Sequence, residues 1–413
     1  MNIKPEKRVY RLKNQVQNYA WGAKGRDALI PRLLGIETDE DIPYAELWMG
    51  AHPKAPSAIF VDHREISLRE FISMYPKEIL GRRVSEKFSN ELPFLLKVLS
   101  AAEPLSIQAH PNKEQAKYLH EKDPGHYPDS NHKPELAVAL GPFTALVGFK
   151  SFSEIVETLK NYPEIEEFIG SSVAEEVISK MQNYCEVKEG LRELFSTLIR
   201  NSISRPDTFH NCLNRLKERL SGGQGQSAEV EKLFLELSSK YEDIGLFAIF
   251  FLNVVHLERG QGIFIDAGIP HAYVKGDIIE CMANSDNVVR VGLTPKFKDA
   301  EALLEILTYE SGPASVVEGE MKEGETTYWV DVEEFVVRRL EIQDREKRHI
   351  SLGGALEIGL VVEGVVDILW EDDSRTRRES FKKGDSFLVP AMVGEYDILG
   401  NEGSEIYRVG VPV

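Results

Sequence analysis

The sequence predicts a mainly β protein with an α insertion, built as two tandem jelly-roll barrels. Three features carry that expectation: short β-type runs towards both ends of the chain, a polar block with helical spacing between them, and a strand–turn–strand pattern that occurs twice.

In the first part, residues 57–61, 94–99, 136–140 and 144–149 have the length and composition of strands. The character then changes. From 151 to 246 apolar residues fall at helical spacing: Ile155, Leu159 and Ile165, then Leu191, Leu194 and Leu198, then Val230, Leu233 and Leu237. Glycines within 221–225 end one of these helices. Residues 248–255 form a near-continuous apolar run, which predicts a strand buried on both faces. Past Ser311, residues 327–332, 334–340, 356–362, 365–370, 386–389 and 405–409 predict further short strands. The chain is thus expected to divide into a first barrel (1–150 with 247–320), a helical insertion (151–246) and a second barrel (321–413).

The repeat links the two barrels. Residues 260–271 lie along residues 384–395 without a gap: a glycine turn, a short apolar strand, a second turn, and a residue placed to enter the next strand. His271 in the first copy matches Glu395 in the second, and no histidine follows His349, so the second barrel is expected to hold no metal.

A chain of 413 residues with 42% apolar content can bury a substantial core. Its formal charge of -18 argues against nucleic acid or an anionic membrane as the main partner, so any anionic substrate must meet a local cluster of Lys and Arg. No apolar run approaches the roughly 18 residues of a membrane span, and residues 1–10 lack the apolar stretch of a signal peptide. A cytoplasmic protein, acting as a monomer, is the expectation. Cys185, Cys212 and Cys281 are far apart and form no C-x-x-C pair, which suggests neither disulfides nor a thiolate zinc site.

Three motifs can carry chemistry: Ser106-Ile-Gln108-Ala-His110-Pro, Asn131-His132-Lys133-Pro-Glu135 and Gly268-Ile-Pro-His271-Ala-Tyr273. Gln108 and His110 are two apart on a predicted strand, so their side chains leave one face. Glu135 begins a strand and His271 enters one. Four N and O donors can therefore meet at a barrel mouth, and two imidazoles with one carboxylate suit a catalytic zinc. A fourth segment, residues 284–296, carries Asp286, Arg290 and Lys296 among apolar residues. Buried, the first two need partners, and a plain Asp286–Arg290 ion pair is the simplest answer. Lys97, inside an apolar strand, must point at water or an anion, unless it snorkels to the surface.

Together these motifs, with Gln17-Asn-Tyr19-Ala-Trp21-Gly and Glu46-Leu-Trp48-Met-Gly before them, closely resemble the type I phosphomannose isomerases over nearly the whole chain. The resemblance implies a cupin fold with a helical domain inserted beside the catalytic barrel. It implies one zinc ion per chain, held by Gln108, His110, Glu135 and His271, and a sugar-phosphate pocket containing Trp21, Lys97, Lys133, Glu280, Asp286 and Arg290, to which Ser106 of the first motif is added. It further implies an aldose–ketose isomerase that interconverts mannose 6-phosphate and fructose 6-phosphate through a cis-enediol. In that chemistry Arg290 stabilises a developing oxyanion, His132 with Asp286 is the favoured proton carrier and Lys133 an alternative, and Lys97 and Lys133 contact the phosphate or sugar oxygens. Two other readings compete: a cupin using iron or manganese for another reaction, against which Gln108 and residues 284–296 weigh, and a non-catalytic sugar-phosphate-binding cupin, against which the four-donor set beside Arg290 weighs.

Overall fold

The structure, a computed structural model, describes residues 4–181, 183, 186–401 and 403–412. Cys185 lies outside the described residues; Cys212 and Cys281 are free and buried. Among the described residues no helix is long and apolar enough to cross a membrane.

The first barrel is centred on two strands, Phe94–Ala101 and His271–Ala283, paired antiparallel with Lys97 opposite Glu280. Every residue of Phe94–Ala101 is buried. On one side of this pair lie Glu46–Gly50 and Gln15–Gln17, and on the other Glu135–Ala139, Gly262–Ile265 and Val316–Val317. The long strand His271–Ala283 also pairs through its first residues with Phe143–Phe149 and, at His271, with Ile107–Ala109. That double pairing bends the sheet on itself and gathers His271, Gln108 and the start of Glu135–Ala139 at one end.

Helices occupy most of the next hundred residues: Phe152–Asn161, Pro163–Ile169, Ser171–Met181, Val187–Ser204, Pro206–Ser221 and Glu229–Leu237. Their boundaries follow local chemistry. Ser151 and Glu154 form a capping box, Pro163 and Pro206 each take the first helical position, and Gly223 turns the chain after Ser221 with φ +74°. The nine apolar residues whose spacing predicts these helices are all buried.

One predicted strand is different. Of residues 248–255, the first part is helical, with Gly245–Ala248 an α-turn and Ile249–Phe251 a 3-10 turn, and the strand Leu252–Leu257 starts later. Leu246 through Leu252 are all 0% exposed. A run buried on every side carries no hydrophobic period, so its sequence cannot separate strand from helix.

The second barrel packs a sheet containing Val336–Ile342, Glu357–Glu363, Ser386–Val389 and Ser404–Gly410 against one containing Lys347–Ser351, Val365–Asp372, Arg375–Lys382 and Glu395–Gly400. Leu340, Val361, Ile368, Phe381, Phe387 and Ile398 fill the space between. Two of these strands, Lys347–Ser351 and Arg375–Lys382, carry no mark in the sequence. Arg375–Lys382 reads Arg-Thr-Arg-Arg-Glu-Ser-Phe-Lys and pairs along its whole length with Val365–Asp372, so its partner and not its composition makes it a strand. The predicted strand 327–332 stops at Tyr328, and Trp329 beyond it is 59% exposed. The chain's first strand, Tyr10–Arg11, joins this second barrel through Phe387 and Leu388.

The repeat is present in three dimensions. Gly260 (φ +85°) and Gly384 (φ +86°) make equivalent turns, Gly262–Ile265 and Ser386–Val389 follow them, and His271 and Glu395 each open the next strand. Both glycines hold a left-handed backbone that other residues adopt only at a cost.

Candidate metal centre and substrate pocket

Gln108 lies in Ile107–Ala109, with His110 just beyond it, while Glu135 and His271 are the first residues of their strands. His271 and Arg290 both lie opposite Gln108 in register. The fold therefore brings all four predicted ligands to one end of the barrel.

His110, Glu135 and His271 are at most 2% exposed, and their ligating atoms lie within 4.8 Å of one another. His110 Nε2 is 3.3 Å from Glu135 Oε1, and His271 Nε2 is 3.4 Å from Oε2. Each ring turns its other nitrogen to a backbone carbonyl: His110 Nδ1 to Asn287 at 2.8 Å and His271 Nδ1 to Ile269 at 3.0 Å. A carbonyl only accepts, so in each ring Nδ1 carries a proton and Nε2 is the nitrogen that faces inward. The Gln108 amide is 3.4 Å from His271 Nε2, and half a turn about its last bond presents Oε1.

These donors fit a divalent cation. His110 Nε2 is buried without a hydrogen-bond partner, an arrangement that a metal bond satisfies. Burial, aided by the charge of Lys133, lowers His110 to about 4, so it is neutral near pH 7. Burial would raise Glu135, but Lys133 and His110 outweigh it and hold the carboxyl well below its ordinary value. Both groups thus stand in the protonation state that ligation requires.

Around this cluster the buried charges are paired. Lys133 Nζ is 2.9 Å from Glu135 Oε1. Lys97 Nζ is 2.8 Å from Glu280 Oε2 and 3.5 Å from Glu46 Oε2, and the Trp48 indole donates to Glu46 at 2.5 Å. Burial opposes the charge on Lys97, yet Glu280 and Glu46 hold it well above its ordinary value. Burial raises Glu280, against the pull of Lys97. The expectation that Lys97 points at an anion holds, but that anion is carboxylate. Lys97 and Lys133 are both paired with carboxylates, so the contacts to phosphate or sugar oxygens that the sequence suggests would compete with those pairs.

Two further expectations are corrected. Asp286 makes no ion pair with Arg290: its Oδ2 is 2.9 Å from Lys54 Nζ and 3.4 Å from His52 Nε2. Burial would raise Asp286, but those two donors hold it far below the carboxylate range, which leaves it a weak base. His132 and Asp286 do not pair either. His132 Nε2 lies 2.8 Å from Glu334 Oε1, and Glu334 also meets Lys113 at 2.9 Å. The reason is local: Lys133 and Glu135, two apart, turn to the cluster, and the residue before Lys133 turns the other way.

Glu334 is 2% exposed and stands just before the second barrel's strand Val336–Ile342, so this contact ties the two barrels together. Burial would raise it, but His132 and Lys113 lower it from 4.5 to about 2. A carboxyl depressed on folding contributes stability above its unfolded value, and that contribution is lost as pH falls from 4.5 towards 2. Glu334→Gln is therefore expected to lower Tm by several degrees at pH 7, with the gap to the parent narrowing below pH 4.5. A gap that stays constant from pH 7 to pH 3.5 would contradict this assignment.

Arg290 is half-buried, and its Nε has no hydrogen-bond partner. Burial lowers its pKa, and burial together with the charge of Arg290 lowers that of Lys296. Trp21 stacks on Tyr19 with ring centroids 5.8 Å apart, and burial, with the charge of Glu46, raises the Tyr19 pKa. Ser106 is half-buried beside Ile107–Ala109 and has no hydrogen bond to the cluster among the described residues. A cleft of about 920 Å³ is lined by His52, Lys54, Asp129 and Asp286 among others, and by none of the four predicted ligands. Sequence reasoning gave no role to Glu46, His52, Lys54, Asp129, Asn287 or Glu334. Glu46 and Trp48 share the Glu46-Leu-Trp48 stretch, and Asp129 stands three residues before His132, but such signals carry no role without the contacts.

Comparison with known proteins gives the family. Residues 9–152 match the catalytic-domain model of phosphomannose isomerase type I, and residues 168–252 match its helical insertion domain. Mannose-6-phosphate isomerase 2 of Arabidopsis thaliana is 37% identical over 425 residues, covering 98% of this chain and 93% of the relative. The chain belongs to the type I phosphomannose isomerases. Its fold agrees with that of a glutamate-to-alanine variant of the Salmonella typhimurium phosphomannose isomerase at a TM-score of 0.86, with 34% identity across 98% of this chain and all of that one. It agrees equally well, at a TM-score of 0.85 and 34% identity with the same coverage, with a solved mannose 6-phosphate isomerase bound with zinc and yttrium. The protein is accordingly an isomerase, with the mainly β fold and helical insertion of its phosphomannose isomerase relatives.

Proposed function

We propose that this chain interconverts mannose 6-phosphate and fructose 6-phosphate with one zinc ion held by Gln108, His110, Glu135 and His271. The observation that carries the metal is the inward-facing pair of imidazoles around Glu135, with His110 Nε2 buried and unpartnered. The zinc-bound relative supports the choice of ion. Bound there, zinc supplies Lewis-acid stabilisation of a sugar carbonyl or hydroxyl, worth several kcal/mol.

The chain's own residues do the rest. Arg290, opposite Gln108 in register, places a fixed charge beside the sugar oxygen that becomes anionic, a contribution of roughly 3 kcal/mol. Lys296, six residues on, supplies the phosphate charge, since Lys97 and Lys133 are both paired with carboxylates. Proton transfer between C1 and C2 needs a base whose pKa is near the working pH. We assign that role to Glu280: it is paired with Lys97 at 2.8 Å, as His132 is with Glu334 and Asp286 with His52 and Lys54, but burial raises Glu280 whereas Asp286 is held low. Lys133 orients Glu135 and keeps it ionised. The Tyr19–Trp21 pair offers a flat apolar face to the sugar.

The test is isomerase activity on mannose 6-phosphate, coupled to detection of fructose 6-phosphate, before chelation, after it, and with zinc restored. Activity should vanish with chelator and return with zinc. Folded, zinc-loaded protein that forms no fructose 6-phosphate would refute the assignment, and activity indifferent to chelation would remove the metal from it.

A further inference from the structure

Asp129 forms no ion pair among the described residues. Among the described residues its carboxylate meets only uncharged donors: the Asn131 backbone N–H at 2.9 Å, the Ser285 hydroxyl at 2.8 Å and the Asn287 amide at 3.1 Å on Oδ1, and the Asp286 backbone N–H at 2.8 Å on Oδ2. Asn287 returns the grip, since its amide also donates to the carbonyls of Asp129 at 2.7 Å and Asn131 at 2.9 Å. One carboxylate thus joins two segments that are distant in sequence. The first leads to Lys133 and Glu135, and the second carries Asp286 and leads to Arg290.

The chain of contacts ends at the metal cluster. Asn287 is 0% exposed, and its own carbonyl receives the Nδ1 proton of His110 at 2.8 Å. That bond fixes the His110 tautomer and the plane of its ring, and so decides that Nε2 faces Glu135 and His271. The Asn287 carbonyl is held only as well as the turn that bears it. This turn lies in a loop between Ala283 and Val289, outside the regular pairing of the sheet. Asp129 closes it by accepting from the Asp286 N–H, the Ser285 hydroxyl and the Asn287 amide, the last two of which also donate to the Asn131 carbonyl at 3.1 and 2.9 Å.

We propose that Asp129 is a positioning residue for His110, acting through the Asn287 carbonyl to set the geometry and affinity of the metal site. It makes no hydrogen bond to the cluster, and the proposal rests on the reading of that cluster as a zinc site. Asp129→Asn is nearly isosteric and can keep the bonds at Oδ1, but it sets an NH2 group against the Asp286 N–H. Partners one step removed from a metal typically contribute 10–100-fold in affinity.

The experiment titrates zinc into metal-free parent and variant against a chromophoric chelator, with visible absorption of the cobalt-substituted proteins as a second readout. Asp129→Asn is expected to bind zinc about 10–100-fold more weakly and to show an altered cobalt spectrum. Leu213→Ala, in the core of the helical insertion, is the control for general destabilisation: it should lower Tm and leave zinc affinity unchanged. Folded Asp129→Asn with zinc affinity within about twofold of the parent would overturn the proposal, and so would an equal loss of affinity in Leu213→Ala. If Asp129→Asn does not fold, Ser285→Ala, which removes one donor from the same carboxylate, is read in the same titration, with weaker zinc binding expected and unchanged binding overturning the proposal. A parent that binds no zinc defeats the zinc reading itself, and this inference falls with it.

Discussion

His271→Ala is expected to abolish tight metal binding and to reduce isomerisation by about 10³-fold or more, the rate equivalent of several kcal/mol of Lewis-acid stabilisation. The protein should still fold. His271 is buried at the start of a strand whose pairing runs on for a dozen residues, and deleting its ring leaves a polar cavity but no stranded charge. Glu135→Gln should behave differently. It removes the anion that Lys133, 8% exposed, faces at 2.9 Å, and leaves an ammonium buried without its partner. Breaking a buried pair from one side typically costs about 3–5 kcal/mol. Metal content by mass spectrometry and Tm on the same samples separate the two effects: His271→Ala loses metal and keeps most of its Tm, whereas Glu135→Gln loses both. A His271→Ala protein that retains a full equivalent of zinc and parental activity would remove His271 from the site.

Much of this architecture is legible in the sequence because it rests on local signals. Turn glycines and 3.6-residue spacing are written in nearby residues, so the insertion helices and the repeated strand–turn–strand unit can be read directly. The run 246–252 cannot, because burial on all sides erases the period that distinguishes helix from strand. Arg375–Lys382 escapes for the opposite reason, since its outward charges mask a strand that its hairpin partner dictates. The metal cluster is legible because ligands two apart on a strand share a face, and because imidazole and carboxylate are few enough to stand out. The charge network is not. Nothing in Lys97 or Lys133 announces that Glu280 and Glu135 already hold them, and nothing in His132 announces Glu334, two hundred residues away. Which cation remains for a phosphate is a property of pairings, and pairings between distant segments appear only once the chain has folded.

That consideration separates Arg290 from Lys296. Arg290→Ala is expected to lower kcat by about 10²–10³-fold with little change in KM, because a charge beside the developing oxyanion acts mainly in the transition state. Arg290→Lys should recover only part of the loss, since a point charge on a flexible stem does not reproduce a fixed planar fork. Lys296→Ala should do the reverse, raising KM for mannose 6-phosphate by roughly 10–100-fold, the equivalent of one charge-assisted hydrogen bond to phosphate, while kcat moves less. The discriminating measurement compares mannose 6-phosphate with mannose. Lys296→Ala should erase most of the parent's preference for the phosphorylated sugar, because the lost contact is one that mannose never makes. Arg290→Ala should slow both substrates by a similar factor, because the enediolate forms on either. If Lys296→Ala left the preference intact, the phosphate would have to sit on another cation, and Lys54, which meets Asp286 at 2.9 Å but unlike Lys97 and Lys133 is exposed, would be the next to replace.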